Sequence, residues 1–242
     1  MTSNPYDDSY REARGSVRHA ELMGEGLPAE IDPFSFVPMA GMWLLHEALA
    51  LRPGQTLVDL GCGRGGPGLW LADQAGAALI GIDGSEVAVA DARERVKLFP
   101  RVASARYEVA DVRDTGLESG VADAVVLVDV FQLVEDRPAV AREIARVLKP
   151  GGRVALTAWE ATDPAPPRYP RDVRAELAEV GLRVESVTEH PDWLERQNVI
   201  FKRAIEIDDG TDPAITGMAQ EGRTNREWRQ YTRRVAVTAT KL

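Results

Sequence analysis

The chain has 242 residues, a formal net charge of −9 and a single cysteine. That length can bury one ample core, and the acidic balance, without a basic stripe, disfavours nucleic acid as the main partner. The lone Cys62 excludes an internal disulfide, and His19, His46 and His190 show no zinc spacing, so no metal is expected.

Met1 to Gly15 is polar and acidic, unlike a secretory leader. No apolar run reaches membrane-spanning length, so a cytoplasmic protein without a membrane partner is expected. Residues 1–36, punctuated by Pro5, Gly15, Gly24, Gly26, Pro28 and Pro33, predict a loosely held N-terminal arm with one or two short helices. Pro38–Leu51 predicts a helix, because Met39, Met42, Trp43, Leu45, Ala48 and Leu49 recur at helical spacing before Arg52-Pro53-Gly54.

Gln55–Val58 then reads as a buried strand, and Pro67–Ala72 as the start of a helix. Between them lies Asp59-Leu60-Gly61-Cys62-Gly63-Arg64-Gly65-Gly66. Further strands are read at Ala78–Asp83, Tyr107–Val112 and Ala122–Val130. Phe131 to Asp136 follows, then a helix from Arg142, the break Lys149-Pro150-Gly151-Gly152 and a fifth strand. Strands alternating with helices imply a parallel, doubly wound sheet, which takes ligands beyond the carboxyl ends of its strands.

Thr162-Asp163-Pro164-Ala165-Pro166-Pro167 reads as a loop, and a helix from Arg171 to Val180 stops at Gly181. Leu182–Glu189 and Arg234–Thr240 complete the strands. About 44 residues, 190–233, separate these two strands, far more than a hairpin needs. Trp193, Leu194, Gln197, Ile200, Phe201 and Ala204 share one helical face, and Thr224 with Glu227 predicts a capping box for a second helix carrying Trp228 and Tyr231. The segment is read as a helical lid over a substrate. The alternative is that its aromatic stripe packs on the sheet or on a second subunit, as in a homodimer.

Glycines at a strand-to-helix turn allow a ligand close to the backbone and leave free N–H groups there. Gly61-x-Gly63-x-x-Gly66 alone also satisfies the dinucleotide fingerprint of an NAD-dependent oxidoreductase. Asp59 shifts the balance, since a carboxylate there repels a pyrophosphate and accepts hydrogen bonds from an ammonium. With Asp83, Asp111 and Asp129 at successive strand ends and the Lys149-Pro150-Gly151-Gly152 passage, the sequence resembles the class I S-adenosylmethionine (SAM)-dependent methyltransferases over about residues 55–160.

The resemblance implies a Rossmann-like, doubly wound seven-stranded sheet over residues 37–242, its last strand antiparallel between the fifth and sixth. It implies S-adenosyl-L-methionine as cofactor and S-adenosyl-L-homocysteine as product. Asp59, Gly61, Gly63 and Gly65 form the first motif, Asp83 and Gly84 meet the ribose, and Asp111 and Val112 the adenine. Asp129 lies at the ligand-facing end of the fourth strand. N-terminal tyrosines fold over the cofactor in some similar enzymes, which makes Tyr6 and Tyr10 candidates for that role. Gln132, Trp193 and Phe201 are assigned to the substrate side.

The expected reaction moves a methyl group to a small, apolar or amphiphilic, secondary-metabolite-like acceptor, oxygen being the commoner acceptor atom in the family. A general base is needed only for a protonated nucleophile, and no residue declares itself as that base. A cyclase or binding module that keeps SAM without methyl transfer is the alternative on the same fold.

Overall fold

The computed structural model describes residues 4–162 and 169–242. Most of the loop expected at 162–167 lies outside them. The elements are α1 (Asp7–Gly15), α2 (Val17–Gly24), α3 (Met39–Leu49), β1 (Thr56–Leu60), α4 (Gly66–Ala75), β2 (Ala78–Asp83), α5 (Glu86–Arg95), β3 (Ser104–Val109), β4 (Ala122–Val128), α6 (Arg137–Val147), β5 (Leu148–Ala161), α7 (Val173–Ala178), β6 (Leu182–Glu189), α8 (Pro191–Ile207), α9 (Pro213–Thr224), α10 (Arg226–Arg229) and β7 (Thr232–Lys241).

The seven strands form one sheet in the order β3-β2-β1-β4-β5-β7-β6. β1 pairs in parallel with both β2 and β4, so the order reverses there and opens a crevice above their carboxyl ends. β7 is antiparallel to both β5 and β6, as expected. The central strands are apolar on both faces because helices cover both. One layer gathers Val58, Ile80, Val125 and Leu156 against α6 and α7, and the other gathers Leu57, Leu79, Val126 and Ala155 against α3 and α4.

Several boundaries differ from expectation. β3 ends at Val109 rather than Val112, because the chain turns through an Asp111–Asp114 bridge. β5 starts at Leu148, before the glycine pair, since Ala122 pairs with Leu148 across an irregularity that places Gly151 at φ 76°. The insertion holds three helices instead of two. Thr224 ends α9 rather than capping a helix, and Asn225 stands at the start of α10 without a side-chain cap. Asp212 caps α9 by accepting from the N–H groups of Ala214 and Ile215, with Pro213 in the first turn. No helix among the described residues is long and apolar enough to cross a membrane.

Residues 4–36 are not loosely held. Tyr10, Ala13, Leu22, Met23 and Ile31 are buried. Asp7 accepts from Ser85 Oγ at 2.6 Å, Ser16 Oγ donates to Asp212 at 2.6 Å, and Arg14 pairs with Asp91 at 3.1 Å. The prolines and glycines had pointed to looseness, but the apolar residues between them bury enough surface to dock the arm. Gly66 makes the tightest fit, because a Cβ there would lie 1.6 Å from the Ile31 carbonyl oxygen. Gly66→Ala should therefore lower unfolding stability by at least about 1–3 kcal/mol and speed proteolysis within residues 4–36. Urea melts and limited proteolysis with mass mapping check this, and unchanged cleavage there would refute the docking role.

Candidate active site

A cavity of about 1330 Å³ opens above the carboxyl ends of β1, β2 and β4. It exceeds the roughly 300–1,000 Å³ of common small-molecule pockets. Its floor is the glycine turn after β1, where the N–H groups of Gly61 and Cys62 both donate to Ile82 O, at 2.8 and 3.0 Å. Gly61, Gly63, Asp59, Asp83, Gly84, Asp111, Val112 and Asp129 all line it, so the strand-end residues singled out from sequence converge on one space.

Their states differ. Asp59 is 2% exposed, and its carboxylate makes no hydrogen bond among the described residues. Burial, assisted by the nearby Asp83 charge, pushes its carboxyl up to about 8. Asp83 accepts from the Gly63 N–H at 2.8 Å and the Ser85 N–H at 2.9 Å, so it pins the turn while keeping acceptor capacity. Burial raises its pKa and those two bonds oppose the rise. Asp111 is half-exposed and held by Arg113, whose hydrogen bond lowers its pKa.

Asp129 departs from expectation. It lines the cavity, but Arg234 Nη2 donates to both of its oxygens, at 2.7 and 2.9 Å. Thr157 Oγ1 donates to Oδ1 and the Phe36 N–H to Oδ2. A carboxylate offers about four acceptor positions, and these contacts fill them, so Asp129 is structural here.

Four further assignments are corrected by the packing. Gly65 faces away from the cavity, and at φ 82° a Cβ there would meet Tyr107 Oη at 2.8 Å and Ala92 Cβ at 2.9 Å, so its role is helix–strand packing. Gln132 is buried and donates to the Asp129 carbonyl at 2.7 Å. Trp193 is 1% exposed and packs near Val37 and Gly41, stacked on His190 at 3.9 Å. Phe201 is 1% exposed in a cluster with Leu22, Met23, Ile200 and Ile215. The stripe on α8 is thus core, and none of these four lines the cavity.

Of the residues that wall the upper half, sequence reasoning had placed only Tyr6 and Tyr10. Tyr6, Tyr10, His19, Met23, Phe34 and Phe36 come from the N-terminal segment, Trp159 from β5, and Ala214, Gly217, Met218 and Glu221 from α9. Asp212-Pro213 was the signal that would have placed α9. His19 alone of the three histidines reaches the cavity, and its Nδ1 has no hydrogen-bond partner. Burial is the chief cause lowering its pKa. His46 instead sits edge-on to Trp43 and Trp70.

The raised Asp59 pKa has a signed consequence. Between about pH 4 and 8 the native protein holds a proton that the unfolded chain has released, so stability falls as pH rises through that window. Asp59→Asn should remove a decline of up to about 1.4 kcal/mol per pH unit. Urea unfolding of both proteins from pH 5 to 8 measures this, and parallel profiles would exclude a protonated Asp59.

A family model described as a methyltransferase domain matches residues 58–156. The chain is 33% identical over 129 residues to the methyltransferase GfsG of Streptomyces halstedii, covering 53% of this chain and 46% of that protein. The chain thus spans less than half the length of this curated relative. Among solved structures, Haemonchus contortus phosphoethanolamine N-methyltransferase 2, in complex with phosphomonomethylethanolamine and S-adenosylhomocysteine, superposes with a TM-score of 0.76 at 20% identity, over 98% of this chain and 60% of that one. The [4+2]-cyclase SpnF gives a TM-score of 0.67 at 22% identity, over 83% and 80%. At such identities the structures speak for the fold. With the domain match over residues 58–156, the sheet order and the glycine turn beneath the converging acids, the chain is similar to the class I SAM-dependent methyltransferases.

Proposed function

We propose that the chain binds S-adenosyl-L-methionine over the glycine turn and catalyses methyl transfer to a small, largely apolar acceptor resembling a secondary metabolite. The observation that carries this is the convergence of Asp59, Asp83 and Asp111 on one cavity. Such a floor repels a pyrophosphate, which argues against a nicotinamide cofactor, and suits a zwitterionic nucleoside bearing an ammonium and a cationic sulfur. Asp59 accepts from the ammonium, Asp83 and Gly84 meet the ribose, Asp111 and Val112 meet the adenine, and Gly61 and Gly63 keep the floor open. When bound, the cofactor supplies an electrophilic methyl group on an excellent leaving group.

The protein's own contribution is then alignment and exclusion of water, which can supply several kcal/mol. Tyr10 covers the glycine turn, its hydroxyl 3.0 Å from where a Gly63 Cβ would stand. α9 and α2 close the acceptor side, so the inserted segment acts as a lid through α9 rather than through the α8 aromatics. For a hydroxyl acceptor, the commoner case in the family, a base is needed, and His19 is suited to it. It borders the cavity, and its lowered pKa keeps it neutral at pH 7.

Calorimetry with S-adenosylhomocysteine tests the cofactor reading, and absence of binding would end it. Asp83→Ala should weaken that binding at least about tenfold, through unpaired hydroxyls and a released turn. The SpnF likeness keeps a cyclase on the same fold as a second reading, and products lacking a one-methyl mass gain would favour it. With an identified hydroxyl acceptor, His19→Gln should lower kcat by about 10²–10⁴-fold and remove the acid-side fall in rate that protonation of His19 causes. An intact acid limb in the variant would exclude His19 as the base.

A further inference from the structure

The acceptor half of the cavity has a chemistry of its own. On α9, Ala214, Gly217, Met218 and Glu221 recur at spacings of three, one and three, so one helix face looks inward. On α2, His19 and Met23 do the same four residues apart. Phe36 and Trp159 continue the wall with ring centroids 6.4 Å apart, and Phe36 also packs on the cluster that holds Met23 and Met218. The wall is apolar and aromatic apart from His19 and one carboxylate.

That carboxylate, Glu221, makes no hydrogen bond or ion pair among the described residues. Arg229, whose charge it feels, lies over the Phe201 ring at 4.8 Å and does not reach it. Burial raises the Glu221 pKa. Glu221 is nonetheless accessible to solvent on the cavity side, so its carboxylate is open to pairing, and a cation seated against the apolar wall is the ligand that supplies the missing partner. An anionic acceptor meets the opposite situation. Ten carboxylates line the cavity among the described residues. The two lining arginines are committed, Arg64 to Asp32 and Asp91 and Arg113 to Asp111, so no lining arginine is left to hold a phosphate.

We propose that the acceptor is an amphiphilic amine, its apolar body lying against Met23, Phe36, Trp159 and Met218 and its ammonium paired with Glu221. The aromatic rings add cation–π attraction to the same charge. The amine is the anchor and leaves the methylated atom to the geometry above the glycine turn. This inference rests on the methyltransferase reading of the site. It also separates this cavity from that of the Haemonchus enzyme, whose ligand carries a phosphate.

The test is calorimetry on the full chain saturated with S-adenosylhomocysteine, titrated with octylamine, octan-1-ol and octyl phosphate at pH 7. Octylamine should bind at least tenfold more tightly than octanol, and octyl phosphate should not bind. In Glu221→Gln the amine should fall to the affinity of octanol, with S-adenosylhomocysteine affinity retained as evidence of folding. Octanol or octyl phosphate binding as well as the amine in the unaltered protein would overturn the proposal, and so would an amine preference surviving Glu221→Gln. Failure to bind S-adenosylhomocysteine is read first, in a separate titration, and counts against the cofactor reading instead.

Discussion

The buried pair between Asp129 and Arg234 holds together the parts that make the site. Asp129 directly follows β4, and Arg234, fully buried, stands early in β7. Through them β5 is tied by Thr157, α8 by Gln197 at 3.1 Å from Arg234, and the N-terminal segment by the Phe36 N–H. Two buried charges lose several kcal/mol of hydration each, and only such full hydrogen bonding offsets it. Removing one partner of a buried pair typically costs about 3–5 kcal/mol. The positive φ of 61° at Asp129 belongs to the same arrangement, since it turns the chain beside the Val130 that packs over Gly61.

Around this hub the cavity divides by charge. Its floor gathers acids whose ionisation burial resists, suited to a cationic ligand that restores their charge. Its roof is aromatic and aliphatic, with His19 and Glu221 as the exceptions. On the proposed reading the cofactor is held by electrostatics at rigid strand ends and the acceptor by the walls that α2 and α9 supply. The strand ends are common to doubly wound sheets, whereas the helices vary with the segments appended.

The floor was legible in the sequence because it depends on local rules. Acids that end apolar strands and glycines at a strand-to-helix turn must fall where the sheet order reverses, and Asp59, Asp83 and Asp111 did. The seven strands and the antiparallel β7 followed from family resemblance and alternation. The roof was not legible. Trp193 and Phe201 announce a buried helical face but not what buries it, and α8 turned out to face the core. Asp129 looked free because hydrogen-bond partners 28 to 105 residues away leave no local trace, and Gln132 looked free although its amide donates to the Asp129 carbonyl only three residues back. Glu221, His19 and Phe36 are unremarkable in sequence and meet only through tertiary contact.

The two N-terminal helices are attached by unlike means. α2 sends Leu22 and Met23 into an apolar cluster, an attachment that resists opening. α1, which carries Tyr10, adds polar contacts to buried partners, Asp7 with Ser85 and Arg14 with Asp91. The extended Ser16 joins the two helices. Both helices are therefore clamped, α1 beside the glycine turn through Tyr10 and α2 beside the wall that it shares with α9.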